Sequence, residues 1–103
     1  MSVSPARVGA LALSLPDAVE KDHHGLPSFR VAGRIFATLP DEGHLDVMLE
    51  QADLRAELAT HGDCCVAQLW GARLAALRVD LSAADEDRVR DWLADAWDRR
   101  ANG

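Results

Sequence analysis

The chain reads as a two-layer α+β domain, an antiparallel β-meander sheet with helices packed on one face. Three observations predict it. Between residues 23 and 49, apolar-alternating runs are separated by turn residues (HHGLPSFRVAGRIFATLPDEGHLDVML), the period-2 pattern of strands joined by tight turns. Toward both ends of the chain, apolar residues recur at spacings of three and four, the period of a helix. Finally, 103 residues with 49% hydrophobic content can bury one core but not two, so residues 1–103 are read as a single domain.

The first helix is predicted over Pro5 to Ser14. Ser4 can cap free backbone amides, Pro5 has a favourable φ at the first helical position, and Val8, Leu11, Ala12 and Leu15 share a face. Pro16 ends it, and the acidic stretch from Asp17 to Asp22 reads as a solvated loop leading to His23, His24 and Gly25. In the strand Ser28 to Val31, Phe29 and Val31 face one way and Ser28 and Arg30 the other. Ala32 and Gly33 form the turn, Gly33 supplying a positive φ. The return strand, Arg34 to Leu39, is expected to turn Ile35, Ala37 and Leu39 inward and Phe36 and Thr38 outward. After Pro40 to Gly43, the strand His44 to Leu49 buries Leu45, Val47 and Leu49 and turns Asp46 and Met48 away.

A short helix follows over Ala52 to Thr60, with Leu54 and Leu58 one turn apart and Gly62 placed to end it. The stretch Asp63 to Gly71 fits either a short helix or a strand. Arg73 to Leu81 reads as the fourth strand, because Leu77, Val79 and Leu81 alternate with Arg78 and Asp80. In the last helix Ser82 and Asp85 form a capping-box-like pair, and Asp85, Glu86 and Asp87 lie near the positive end of the helix dipole. Val89, Trp92, Leu93, Ala96 and Trp97 make one stripe, with Arg99 and Arg100 in the final turn. Trp70, Trp92 and Trp97 are all expected in the core. The order is αβββα, an ambiguous segment, then βα, which collects helices on one face of an antiparallel sheet.

Affinity for nucleic acid depends on Lys and Arg neutralising phosphates, so a formal net charge of -6 opposes it unless basic residues gather on one face. Strand periodicity can gather Arg30, Arg34, Arg73 and Arg78, with Arg30 and Arg78 pointing away from the helices. The alternative is a solvated face on which Asp46 and Asp80 pair with these arginines. Phe36 and Met48 fall on the same outward side and suggest a contact with a protein partner or a second copy. That reading fails if residues 63–71 cover the sheet, or if the second strand is bulged and its faces are inverted.

Nothing in the chain carries a catalytic signature, so no enzyme activity is expected. Adjacent histidines such as His23 and His24 point in different directions, and Cys64 and Cys65 lack the usual two-residue gap of zinc ligands, so neither metal nor cofactor is expected. One of these histidines more plausibly anchors its loop on the sheet. A disulfide between adjacent cysteines is strained, which favours reduced thiols. The longest apolar run, Val8 to Leu15, is far short of the roughly 20 residues that span a bilayer. With no signal-peptide pattern at the N-terminus, a soluble cytoplasmic protein is expected.

Several of these residues also carry a resemblance. The PSFRVAGRIFATL hairpin (Pro27 to Leu39) preceded by His23, His24 and Gly25, the LDVML of the third strand, and a closing pattern of Trp70, Arg78-Val79-Asp80 and Trp97 resemble the MmcQ/YjbR family of small bacterial proteins over most of the chain. The resemblance implies a compact CyaY-like α/β domain. It also implies DNA binding, a label the family carries because its hairpins are similar to a double-wing arrangement. The expectation is therefore a non-enzymatic binding module that contacts DNA through Arg30, Arg34, Arg73 and Arg78. The alternative is a protein-interaction or regulatory module using the sheet face around Phe36 and Met48.

Overall fold

The computed structural model describes residues 2–102. Among them the elements run α1 (Pro5–Leu13), β1 (Val19–His23), β2 (Leu26–Val31), β3 (Arg34–Asp41), β4 (His44–Val47), α2 (Gln51–Thr60), β5 (Cys65–Trp70), β6 (Arg73–Asp80) and α3 (Glu86–Asn102). The strands form one sheet in the order β1-β2-β3-β4-β6-β5, every neighbouring pair antiparallel. This is the expected α+β fold. Because β6 inserts beside β4, the β2–β3 and β5–β6 turns leave the sheet at the same end, and the β1–β2 and β3–β4 turns leave at the other.

The core lies between one sheet face and the helices. Phe29, Ala37, Val47, Leu77 and Val79 from the strands meet Val8, Leu54, Val89, Trp92 and Leu93 from the helices. Helix α1 starts as its sequence requires, with the Arg7 amide donating to Ser4 Oγ at 3.1 Å and Pro5 in the first turn. Helix α3 buries Val89, Trp92, Leu93 and Ala96, while Glu86 and Asp87 occupy its first turn and Arg99 and Arg100 its last. Trp97 is half-buried and its indole donates to the Pro16 carbonyl at 2.9 Å, tying α3 to the end of α1.

Four local expectations are corrected. The acidic stretch is a strand rather than a loop: β1 pairs with β2 from Val19↔Arg30 to His23↔Leu26, although all five of its residues are exposed. With no face to bury, a strand writes no alternation into its sequence, and backbone pairing alone forms it. The turn that follows takes positive φ at His24 and Gly25, closed by the Gly25 amide donating to Asp22.

The expected pairing of Ser82 with Asp85 is absent. Ser82 donates instead from its amide and its hydroxyl to Asp80 Oδ1, at 2.9 and 2.7 Å, closing the turn after β6. The Asp85 carbonyl accepts the first helical bond, from the Val89 amide.

Strand β3 carries a bulge. Phe29 lies opposite Ala37 but Arg30 lies opposite Ile35, so Phe36 is the extra residue and turns inward with Ala37. Phe36 is 0% exposed, which removes it from the surface, and Ile35 takes the outer face instead. Finally, residues 65–70 form the edge strand β5, in which Val66, Leu69 and Trp70 are exposed. Trp70 is 65% exposed and is no part of the core.

Candidate nucleic-acid interface

The sheet face opposite the helices is a shallow trough of about 480 Å³, lined at its two ends by Leu26 and His23 on one side and Trp70 and Gln68 on the other. Its floor follows from strand alternation. Lys21, Ser28, Thr38, Asp46, Arg78 and Val66 lie in one cross-strand row on this face, each opposite the next. Met48 faces the same way as Asp46 and lines the trough beside Ile35, as the sequence predicted for Met48.

Two of the arginines expected at an interface are engaged on this floor. Arg78 grips Asp46 through two parallel bonds, Nε to Oδ1 and Nη2 to Oδ2, both 2.8 Å. Asp46 is 6% exposed, and its hydrogen bond holds the Arg78 guanidinium above its ordinary pKa. This pair carries no net charge. Arg30 is half-buried and donates from Nε to Ser28 Oγ at 3.2 Å, while the Ser28 hydroxyl donates to the Lys21 carbonyl. The acceptor is neutral, so this bond does not offset the Arg30 charge.

The other two expected arginines open β3 and β6, so topology brings Arg34 and Arg73 to the end from which the β2–β3 and β5–β6 turns leave. The last turn of α3 arrives there as well. Arg99 donates to the Met48 and Leu49 carbonyls at 3.3 and 2.9 Å, and Arg100 Nε donates to the Ile35 carbonyl at 3.1 Å. Arg100 lines the trough, whereas Arg99 borders a separate hollow with Glu50, Asp53, Asp95 and Asp98. Burial, and then the positive charges of Arg99, Arg34 and Arg73, push the pKa of Arg100 below its ordinary value. Like charges therefore converge at one end of the trough.

Negative charge collects elsewhere. Burial, followed by Asp53, Asp91, Glu57 and Asp98, raises the Asp95 carboxyl above the usual range, which places a cluster of carboxylates on α2 and α3. Arg7 and Arg90, on the helices, are paired with Glu86 and Asp87. The overall charge of -6 thus conceals a molecule with a basic turn end and acidic helices.

Trp70 is the large exposed aromatic of this face. It stands opposite Arg73 across the β5–β6 hairpin, and its indole lines the trough with Gln68 and Met48. At the far end His23 meets His24 edge-on, ring centroids 4.5 Å apart, so the histidine that borders the trough stacks on its neighbour. Among the described residues no group of three or more His, Cys, Asp or Glu could hold a metal ion. Cys64 and Cys65 are buried free thiols with sulfurs 3.5 Å apart, and burial, then the Cys64 hydrogen bond, pushes the Cys65 thiol up, which suppresses its thiolate.

Of the residues singled out in the sequence, the structure brings Arg34 and Arg73 together, keeps Arg30 and Arg78 on the open face, leaves Met48 there and withdraws Phe36. Sequence reasoning gave Arg99 and Arg100 a helix-end role alone and counted Trp70 as core. The signal that was available for Trp70 is its position beside Gly71, a turn residue with φ of 62°.

The family model described as YjbR matches residues 13–99, and the chain belongs to the YjbR family. No curated protein and no solved structure matches it. Among the described residues no helix is long and apolar enough to cross a membrane.

Proposed function

We propose that this YjbR-family protein is a non-enzymatic binding module of the bacterial cytoplasm that takes nucleic acid, DNA in the first instance, on the open face of its sheet. The observation that carries the reading is the convergence of Arg34, Arg73 and Arg100 at one end of the trough. Phosphate contacts need guanidiniums, and Arg100 at this end donates to a neutral carbonyl, while the cluster of Asp53, Asp95 and Asp98 lies on the helices. Arg30 adds a fourth positive charge on the same face. Arg78 contributes little direct charge because Asp46 neutralises it.

The test is fluorescence anisotropy of labelled DNA across a range of salt concentrations, comparing the natural protein with an Arg34→Ala/Arg73→Ala double variant. Counterion release makes log affinity fall linearly with log salt, by about 0.7–0.9 per phosphate neutralised, so the double variant is expected to bind more weakly with a slope shallower by roughly 1.4–1.8. An unchanged slope overturns the reading.

A second reading, a protein partner on the same face, draws on Val66 and Trp70, exposed along the edge strand β5 on either side of Gln68. Its binding tolerates salt and is lost on Met48→Glu. Phe36 takes no part in it.

A further inference from the structure

We propose that the nucleic acid held on this face is single-stranded and that Trp70 is the platform on which one of its bases stacks; the inference rests on the nucleic-acid reading above and adds the form of the ligand. A duplex turns its phosphates outward and keeps its bases stacked inside, so it has no use for an apolar trough. An unpaired strand presents both. Base faces seek aromatic and apolar surface while phosphates seek guanidiniums, and sheet surfaces that bind single strands combine the two.

Here the two lie side by side. Trp70 is 65% exposed, yet it sits at the end of a strand in which Cys65 is buried, so nothing in the packing requires an indole at this position. Its cross-strand partner is Arg73, which puts a guanidinium within reach of the phosphate attached to a base stacked on the indole. The trough continues from Trp70 over Met48, Ile35 and Ala75, and the Gln68 amide on its wall is placed to meet a base edge. The buried Asp46 on the floor does not repel a strand, because Arg78 matches its charge. The two turns at this end of the sheet are built of Ala32 and Gly33 and of Gly71 and Ala72, side chains too small to read base pairs in a duplex groove.

The experiment is anisotropy at low salt with three labelled probes: oligodeoxythymidine, oligouridylate of the same length, and a DNA duplex of the same length. Each is titrated with the natural protein, Trp70→Ala and Trp70→Phe. The inference expects tighter binding of the single strands than of the duplex, a loss of about tenfold on single strands for Trp70→Ala, and substantial rescue by Trp70→Phe. Duplex affinity is expected to be indifferent to either substitution. The exposed position leaves the thermal midpoint unchanged, which separates a lost platform from a lost fold. Preference of the protein for either single strand over the duplex supports the inference. Duplex binding as tight as single-strand binding, or Trp70→Ala retaining full single-strand affinity, overturns it while the nucleic-acid reading stands. Binding to none of the three probes overturns both.

Discussion

The Arg78–Asp46 pair separates the presence of a charge on a binding face from its availability to a ligand. Asp46 is nearly buried, and Arg78 supplies it with two charge-assisted bonds. Arg78→Ala strands that carboxylate, and a loss of about 1–3 kcal/mol in urea unfolding is expected. The double variant Asp46→Ala/Arg78→Ala should lose less than the sum of the two single variants; strict additivity would deny the coupling. Phe36→Ala, which empties a wholly buried site beside the bulge, is expected to cost about 3–5 kcal/mol in the same measurement. Substitution at half-buried Met48 costs much less. That contrast between two residues the sequence placed together is a direct check on the inverted face of β3.

At the level of the element, the β2–β3 hairpin carries a correctable strain. Ala32 has φ of 53° and Gly33 φ of 75°, the doubly positive pattern of a type I′ turn, in which Ala pays a steric penalty that Gly avoids. Ala32→Gly is expected to stabilise the protein by about 0.5–1 kcal/mol, seen as a higher midpoint in urea, and a destabilisation would contradict the turn assignment. Elements whose burial alternates were legible from the sequence: α1 and α3 by their 3.6-residue stripes, β2, β4 and β6 by period two. Strand β1 was not, because both its faces are wet. Strand β5 was ambiguous because it lies at the edge and exposes the apolar side chains that a helix would bury. The bulge in β3 escaped because Ile35, Phe36 and Ala37 are all apolar, so either register satisfies a binary pattern. The arginines of the candidate site were legible singly. Their convergence depends on β6 inserting between β4 and β5, a long-range pairing that local sequence does not encode, and Trp70 was misplaced because large aromatics usually pack inside.

Over the whole molecule, charge segregation has consequences for pH as well as for binding. Asp41, Asp80 and Glu86 are held below their ordinary pKa by His44, Ser82 and Arg7 respectively, so the stability they contribute is present above the unfolded value and lost as pH falls through the folded one. Asp95 runs the other way: with its pKa raised, stability is greatest below the unfolded value and declines as pH rises through the folded one. Asp95→Asn is therefore expected to raise the thermal midpoint slightly at neutral pH and to have no such effect in acid. The gain is at most a few tenths of a kcal/mol, on the order of an exposed ion pair, because the carboxylate is exposed and screened. Relieving this repulsion leaves DNA affinity nearly unchanged if the ligand sits on the opposite face. The most direct test of that location is a titration of isotope-labelled protein with oligodeoxythymidine, followed through its backbone amide chemical shifts. The account expects perturbations over residues 34–38, 46–48, 68–73 and 75–78 with α1 and α2 silent; perturbations centred on those two helices, or none at low salt, would contradict it.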